Sequence, residues 1–204
     1  MWLTRRIIGF KNSALDVYPA IGETVGTVAF FTGCVMDSLY PNIHEATIRI
    51  LQWNGYEVYI PKSQGCCGAL HHHVGQTKNA VDMQTQNIQA FDLVDTIIIN
   101  SAGCGAELKN YPEAFASKVK DMSEFLANID LIIPENSTTQ KAIYDAPCHL
   151  VHAQKIDAQP RQILEKFGIE LVDFPQSNLC CGAAGSYTLD KSIMSNEILK
   201  TKMN

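Results

Sequence analysis

The sequence predicts an α/β protein made of two tandem related modules with mostly parallel sheets, the second module incomplete at its carboxyl end. Two observations predict this fold class. Short apolar runs that are typical of buried strands alternate with helical patterns along the chain, and the chain also repeats itself. Sliding the sequence by 114 residues superimposes Cys34 on Cys148, Cys66 on Cys180, and Cys67 on Cys181.

The repeat also sets the expected module boundaries. We expect an amino-terminal linker over 1–25, a first cysteine-rich module over 26–127, a linker over 128–140 and a second module over 141–204. The linker at 128–140 is predicted by its cluster of Pro, Asn, Ser and Thr residues. The counterpart of Cys104 would fall near position 218, past the last residue of the sequence, so the second module is expected to be incomplete.

The first half of the first module is predicted to form a strand, a helix and a second strand. An apolar and β-branched run over 27–31 predicts a strand that ends just before Cys34. Apolar residues then recur at helical spacing between Pro41, which suits a helix start, and Gly55, which suits its end. Residues 56–60 form the next predicted strand.

The rest of the chain continues the alternation. A helix is predicted over about 77–93, and an apolar strand over 95–100 leads to Cys104. In the second module the same order predicts four elements around the second Cys-Cys-Gly turn: a strand over 142–145, a helix over 160–167, a strand over 169–174 and a helix from about Thr188.

The cysteines point to metal or redox chemistry. Seven is an odd number for a disulfide framework. Adjacent Cα atoms lie about 3.8 Å apart, below the roughly 4.4 Å that an unstrained disulfide needs, so neither Cys-Cys pair is expected to bridge itself. The carboxyl ends of parallel strands gather functional groups, and Cys34, Cys66, Cys67 and Cys104 all follow predicted strands. We expect them to form one site, with Cys148, Cys180 and Cys181 as a partial second site.

Four thiolates bind either a 4Fe-4S cluster or a tetrahedral zinc ion. Structural zinc usually takes two close pairs of ligands, whereas these cysteines come from distant loops with one adjacent pair. This spacing favours an iron-sulfur cluster, cubane or non-cubane, and leaves zinc as the alternative in one site. Buried structural cysteines are the third interpretation, but that does not explain a Cys-Cys-Gly repeated at matched spacing.

Histidines near the cysteines are weaker candidates. Consecutive residues do not share a face, so His71, His72 and His73 are not expected to bind one metal together, although one of them could lie beside a cluster. His149 and His152 are three residues apart and would share one side of a helical turn. An ordinary polar turn is the competing interpretation.

Composition narrows the remaining function classes. The net charge is −5, and no basic run exceeds Arg5-Arg6, so nucleic acid is not an expected partner. No stretch approaches the roughly 20 apolar residues of a membrane span. Dinucleotide-binding, phosphate-binding and serine-hydrolase motifs are not found, and we predict no catalytic residue. We expect a cytoplasmic protein, at most peripheral at the inner face of the membrane.

Four segments resemble the cysteine-rich, or CCG, domain of heterodisulfide reductase subunits and of iron-sulfur subunits of glycolate- and lactate-oxidising complexes. The glycolate oxidase type is the most similar. The segments are Phe31-Thr32-Gly33-Cys34-Val35, Gln64-Gly65-Cys66-Cys67-Gly68-Ala69-Leu70-His71, Ala102-Gly103-Cys104-Gly105 and Pro147-Cys148-His149-Leu150-Val151-His152-Ala153-Gln154. Glu107 stands where heterodisulfide reductase types have a further cysteine, and the ferredoxin motif of glycolate oxidase subunits is absent from this sequence.

The resemblance implies a function and partners. It implies an electron-transfer subunit of a complex that oxidises glycolate or a similar 2-hydroxy acid, not catalytic by itself. The partners would be a flavin-containing dehydrogenase subunit and a ferredoxin-type iron-sulfur segment or subunit, with quinone as acceptor. Two alternatives stay open: a zinc-stabilised module that only docks a partner, and a heterodisulfide reductase-like subunit.

Overall fold

A computed structural model describes residues 15–133, 140–174, 176–177, 179–183 and 185–203. Its first sheet has five strands in the order β1-β3-β2-β4-β5. These are β1 (Leu15–Tyr18), β2 (Gly26–Phe31), β3 (Tyr56–Pro61), β4 (Ile97–Ile99) and β5 (Val119–Asp121). Only β1 is antiparallel to its neighbour, and the other pairs are parallel. The predicted α/β class with a mostly parallel sheet is confirmed.

Helices connect these strands and cover both faces of the sheet. They are α1 (Val35–Leu39), α2 (Pro41–Trp53), α3 (Ala69–His73), α4 (Thr77–Ala90), α5 (Ala102–Leu108), α6 (Glu113–Ala116) and α7 (Met122–Ala127). Successive residues of a strand point to opposite faces. Thus Val28 and Phe30 pack on one side with Leu51 of α2, while Ala29 and Phe31 pack on the other.

The second half of the chain forms a smaller sheet. Strand β6 (Gln140–Ile143) pairs in parallel with β7 (Ile169–Val172). Between them lie a π-helix (His149–Ala153) and α8 (Ala158–Lys166), and after them come α9 (Tyr187–Asp190) and α10 (Ser192–Met203). The strand-helix-strand order of the first half therefore recurs, as the repeat predicts.

Several predicted bounds differ from the structure. Residues 15–18, assigned to a linker from sequence, form the edge strand β1, because their backbone pairs with β3. The strand predicted over 142–145 lies at 140–143, so the linker predicted to reach 140 gives way to β6 one residue earlier, and most of that linker lies outside the described residues. The helix predicted from Thr188 is two helices, α9 and α10.

Contacts between the two halves form at the carboxyl side of the first sheet. Gln154 donates a hydrogen bond from Nε2 to the carbonyl of Ala102, at 2.9 Å. A Cβ atom at Gly105 would lie 2.5 Å from the same Nε2 atom, so the π-helix end packs closely on α5. The rings of His73 and His149 stack with centroids 6.4 Å apart. None of the described helices is long and apolar enough to cross a lipid bilayer.

Candidate metal centre

The topology of the first sheet brings four cysteines to one edge. Cys34 follows β2, the Cys66-Cys67 pair follows β3, and Cys104 lies in α5 after β4. The chain passes from β2 to β3 on one side and then returns to β4 on the other. Such a reversal opens a crevice at the carboxyl ends of the strands, which is where α/β sheets bind their ligands.

The four sulfur atoms form a continuous row. Cys34 donates a hydrogen bond to the sulfur of Cys66, with the two Sγ atoms 3.3 Å apart. An interaction with Cys67 is the largest cause of the lowered pKa of both Cys66 and Cys104, so the Cys67 thiol lies against both of these side chains. Cys67 is only 3% exposed, whereas Cys34 at the other end of the row is exposed. The structure therefore brings together all four residues of the predicted first site.

Interactions within the row and burial lower the pKa of two of the four thiols and raise the pKa of the other two. The interaction with Cys67 lowers the pKa of Cys66 to about 5 and that of Cys104 to about 7. Burial raises the pKa of Cys34 to about 11, and the hydrogen bond to Cys104 is the largest cause that raises the pKa of Cys67. Near neutral pH Cys66 is therefore ionised, Cys104 is partly ionised, and Cys34 and Cys67 keep their protons, so a metal that binds all four must displace the remaining protons.

A glycine shapes the turn that carries the adjacent pair. Gly68 has φ +85°, which favours glycine, and a Cβ atom there would lie 3.2 Å from Cα of Ala80 in α4. Its backbone N–H points at the sulfur of Cys66, at 3.5 Å. The Cys-Cys-Gly order therefore lets the turn pack against α4 while a backbone donor stabilises the Cys66 thiolate.

Two buried polar residues that the sequence did not suggest hold this turn. Asn87 accepts a hydrogen bond from the N–H of Gly65 at 2.8 Å and donates one to the carbonyl of Cys66 at 2.9 Å. Tyr111 donates to the carbonyl of Cys67 at 2.8 Å. A signal for Asn87 was present, since it lies seven residues after Ala80 and therefore on the same face of the predicted helix. No comparable pattern marks Tyr111.

The three consecutive histidines have separate surroundings. An electrostatic interaction with His71 is a minor cause of the lowered pKa of Cys66, and the buried Nδ1 atom of His71 has no hydrogen-bond partner among the described residues. His72 pairs with Glu107, and His73 stacks on His149. Among the three, His71 is thus the one that interacts with a cysteine of the row. The three rings have different partners and do not converge on one point.

The second cysteine group is not assembled in the same way. Cys180 accepts a hydrogen bond from the N–H of Gly182 at 3.4 Å, as Cys66 does from Gly68. Gly182 has φ +79°, so the second turn has the geometry of the first. In the described ranges, however, no hydrogen bond joins the sulfurs of Cys148, Cys180 and Cys181, and their role as a partial site stays a prediction.

The donor set of the first site fits a sulfur-ligated metal group. It consists of thiols alone, two of which ionise readily, and thiolates are the ligands of iron-sulfur clusters. Among the described residues, no group of three or more His, Cys, Asp or Glu side chains is arranged to hold a single metal ion.

Comparison with known proteins places the chain in a family. The family model for the cysteine-rich domain, CCG, matches residues 28–109 and 142–204. The chain belongs to the CCG cysteine-rich domain family. The two matched ranges contain all seven cysteines, so both halves of the repeat are CCG modules.

Three known proteins have sequences similar to this one. The chain is 37% identical to the probable glycolate oxidase iron-sulfur subunit of Bacillus subtilis, over 91% of this chain and 46% of that protein. It is 35% identical to a subunit of the CoM/CoB fumarate reductase of Methanothermobacter marburgensis, over 90% and 38%. It is 30% identical to the glycolate oxidase iron-sulfur subunit of Escherichia coli, over 87% and 48%. The chain thus spans less than half the length of these relatives.

Proposed function

We propose that this CCG chain is the cysteine-rich part of an iron-sulfur electron-transfer subunit in a complex that oxidises glycolate or a similar 2-hydroxy acid. The observation that carries the proposal is the row of four sulfurs at the carboxyl edge of the sheet. The names of the Bacillus subtilis and Escherichia coli relatives support the electron-transfer role and the hydroxy acid.

Cys34, Cys66, Cys67 and Cys104 would hold a 4Fe-4S cluster, which supplies single-electron transfer when bound. The Gly68 N–H and the buried Asn87 amide fix the adjacent pair before any metal arrives. The thiolates of Cys66 and Cys104 provide the first negative charges that attract iron. Cys148, Cys180 and Cys181 would contribute to a second centre.

The chemistry of the substrate requires partners. Removing two electrons from a hydroxy acid calls for an organic cofactor, because a cluster accepts electrons one at a time. We therefore expect a flavin-containing dehydrogenase subunit as the donor, a ferredoxin-type iron-sulfur segment or subunit beside this one, and a quinone as the acceptor.

One observation favours zinc as a second candidate. Two sulfurs bound to one tetrahedral zinc lie about 3.8 Å apart, given zinc-sulfur bonds of about 2.3 Å. The 3.3 Å contact between Cys34 and Cys66 is close to this spacing, although among the described residues no three ligands are arranged around one ion. In that case the module would be a zinc-stabilised scaffold that docks a redox partner.

Anaerobic spectroscopy of the purified chain tests the electron-transfer proposal. Dithionite should bleach the broad visible absorption of the protein, whereas glycolate or lactate alone should leave it unchanged. Adding a flavin-containing dehydrogenase subunit should make the hydroxy acid bleach it as well. Turnover of a hydroxy acid by the flavin-free chain, or no visible absorption to bleach, would refute the assignment.

A further inference from the structure

A groove of about 440 Å³ lies between the two modules. Its walls are almost entirely apolar and come from both halves of the chain. Representative lining residues are Met122, Leu126, Leu150, Ile163 and Leu164. A volume of this size is within the range of small-molecule sites, and the apolar walls suit a hydrocarbon ring.

One wall of the groove carries a hydrogen-bond acceptor whose orientation is fixed. The amide nitrogen of Asn100 donates to Oγ1 of Thr47, at 2.9 Å, and to Nδ1 of His44, at 3.1 Å. The hydroxyl of Thr47 donates its own proton to the carbonyl of Ile43, and His44 faces the carbonyl of Thr32 through Nε2. Thr47 and His44 therefore both act as acceptors toward the Asn100 amide nitrogen. The carbonyl oxygen of Asn100 is the atom that remains without a partner. That Oδ1 atom is buried without a partner among the described residues.

A hydrogen-bond donor lines the same groove. The hydroxyl of Tyr144 is buried and also has no partner in the described part of the chain. The guanidinium of Arg161 lies over its ring, 5.0 Å from the centroid. Burial raises the pKa of Tyr144, so the hydroxyl keeps its proton at neutral pH. Both unpaired atoms are closed to water, and a ligand that displaces the half-buried Tyr144 side chain would pair them.

Charge and position restrict the ligand further. Asp121 lines the groove, and no Lys or Arg is among its described lining residues, so an anionic ligand is disfavoured. Ala102 lines the groove two residues before Cys104, and Pro147 lines it directly before Cys148. A ligand here lies near Cys104 of the first site and near Cys148 in the chain.

We propose that this groove binds the ring of a quinol, with one ring hydroxyl donating to Oδ1 of Asn100 and a ring oxygen accepting from Tyr144. The choice of a redox-active ring rests on the proposed electron-transfer function, while the polarity of the site rests on these two side chains. The corresponding quinone becomes the quinol by taking up two electrons, which the proposed cluster would supply, and two protons from water.

Binding of duroquinol to the anaerobic, metal-loaded full chain tests the proposal by calorimetry. We expect saturable binding of one duroquinol per chain. Tyr144→Phe should weaken it about fivefold, which corresponds to one hydrogen bond, without lowering the thermal stability, since the lost hydroxyl has no partner in the free protein. The dimethyl ether of duroquinol, which has no hydroxyl to donate to Asn100, should also bind about fivefold more weakly. Leu164→Trp should fill the groove and abolish binding.

Two outcomes would overturn the groove proposal. One is no binding of duroquinol to protein whose iron and sulfide content is intact, and that result would leave the electron-transfer function standing. The other is equal affinity of wild type and Tyr144→Phe for duroquinol. Binding with the expected variant pattern in a chain that carries zinc and no iron would support the groove and refute the electron-transfer function instead.

Discussion

The buried amide of Asn87 ties the turn of the adjacent cysteines to helix α4. Its side chain is 0% exposed, and it pairs with the N–H of Gly65 and the carbonyl of Cys66. Removing it leaves both backbone groups unpaired in the interior, and each such group costs roughly 1–3 kcal/mol. Asn87→Ala should therefore lower the free energy of unfolding by about 3 kcal/mol and reduce the metal content, as measured by denaturant unfolding and metal analysis.

Gln86 provides a matched control at the preceding position. It donates to the carbonyl of Ser63 at 2.7 Å, but on the surface, where water replaces the bond. Gln86→Ala should change the free energy of unfolding by less than about 1 kcal/mol. Equal losses in the two variants would mean that Asn87 does not anchor the turn.

His44 should make stability depend on pH. Burial lowers the pKa of His44 below its ordinary value of 6.5, so below about pH 6.5 the unfolded chain binds a proton more readily than the folded one. The free energy of unfolding should then be highest above this pH and should fall as the pH falls through it toward the lower folded pKa. In His44→Gln the slope between about pH 7 and 5 should be smaller. Denaturant unfolding at a series of pH values measures this, and parallel profiles for the two proteins would contradict it.

The sequence identified a residue as part of the site only where its side-chain chemistry or its place in the repeat gave a signal. Cys34 was found because it recurs at matched spacing in the repeat, and Cys104 because it follows an apolar run that predicts a strand. Tyr111 was not, since a tyrosine in an unassigned segment has no spacing to mark it, and its role depends on a long-range contact with the Cys67 carbonyl. The distinct role of His71 likewise depends on which side of α3 faces the sulfurs.

Among the elements, the junction of the Cys-Cys-Gly turn with α3 depends on Gly68. Alanine there would adopt a left-handed φ, which costs about 1–2 kcal/mol, and would also press on the backbone of Ala80 at 3.2 Å. Gly68→Ala should lower the free energy of unfolding by more than about 2 kcal/mol, measured by denaturant unfolding.

A Gly75→Ala variant distinguishes the energetic cost of the left-handed backbone from the cost of steric contact at position 68. It also has a left-handed φ, +77°, but nothing lies within 4 Å of its Cβ position. Gly75→Ala should therefore cost only about 1 kcal/mol. If both alanine variants lost the same stability, close packing of the turn on α4 would not be the reason for glycine at position 68.

Helix α10 is anchored by a buried lysine. Lys202 is 4% exposed, and its ammonium donates to Asp145 at 2.6 Å and to the carbonyl of Leu179 at 2.8 Å. Leu179 lies directly before the second cysteine pair. Lys202→Met would leave the Leu179 carbonyl without its charged donor, while water hydrates the half-exposed Asp145 carboxylate. It should therefore lower the free energy of unfolding by about 2 kcal/mol, measured by thermal or denaturant unfolding.

Lys200, on the same helix, is the control for charge alone. Its ion pair with Glu197 is exposed on both sides, and such pairs contribute about 0.5 kcal/mol or less. Lys200→Met should be nearly neutral. A Lys202→Met variant as stable as Lys200→Met would show that α10 does not depend on this anchor.

Elements with strong local patterns were predictable, and those that depend on tertiary pairing were not. Helix α2 and strand β3 lie where apolar periodicity and the flanking Pro and Gly residues placed them. Strand β1 was assigned to a linker, because four residues at a sheet edge carry little pattern until β3 pairs with them. Strand β5 has three residues, too few for periodicity to mark.

At the scale of the whole molecule, the internal repeat predicted the architecture well. Matched cysteines predicted two α/β modules, and the family match and the parallel sheets confirm that organisation. The repeat does not predict which residues of the two modules contact each other. Contacts such as Gln154 with Ala102 join residues that are 52 positions apart, and the groove beside them has no signature in the sequence.

A comparison of two serine variants connects the repeat to the metal. Cys67 is the buried centre of the assembled sulfur row, whereas Cys181, its repeat counterpart, makes no hydrogen bond to another described sulfur. Cys67→Ser should therefore lose most of the bound metal and much of the stability of the first module, and Cys181→Ser should lose less. Equal metal losses would contradict the view that the first site is the more complete one.

The most direct test of the central claim, that the sulfur row holds an iron-sulfur cluster, is the metal and sulfide content of the anaerobically purified chain. We predict brown protein in which iron and acid-labile sulfide occur in about equal amounts, about four of each for the first site. Colourless protein with about one zinc per chain and no acid-labile sulfide would contradict the claim.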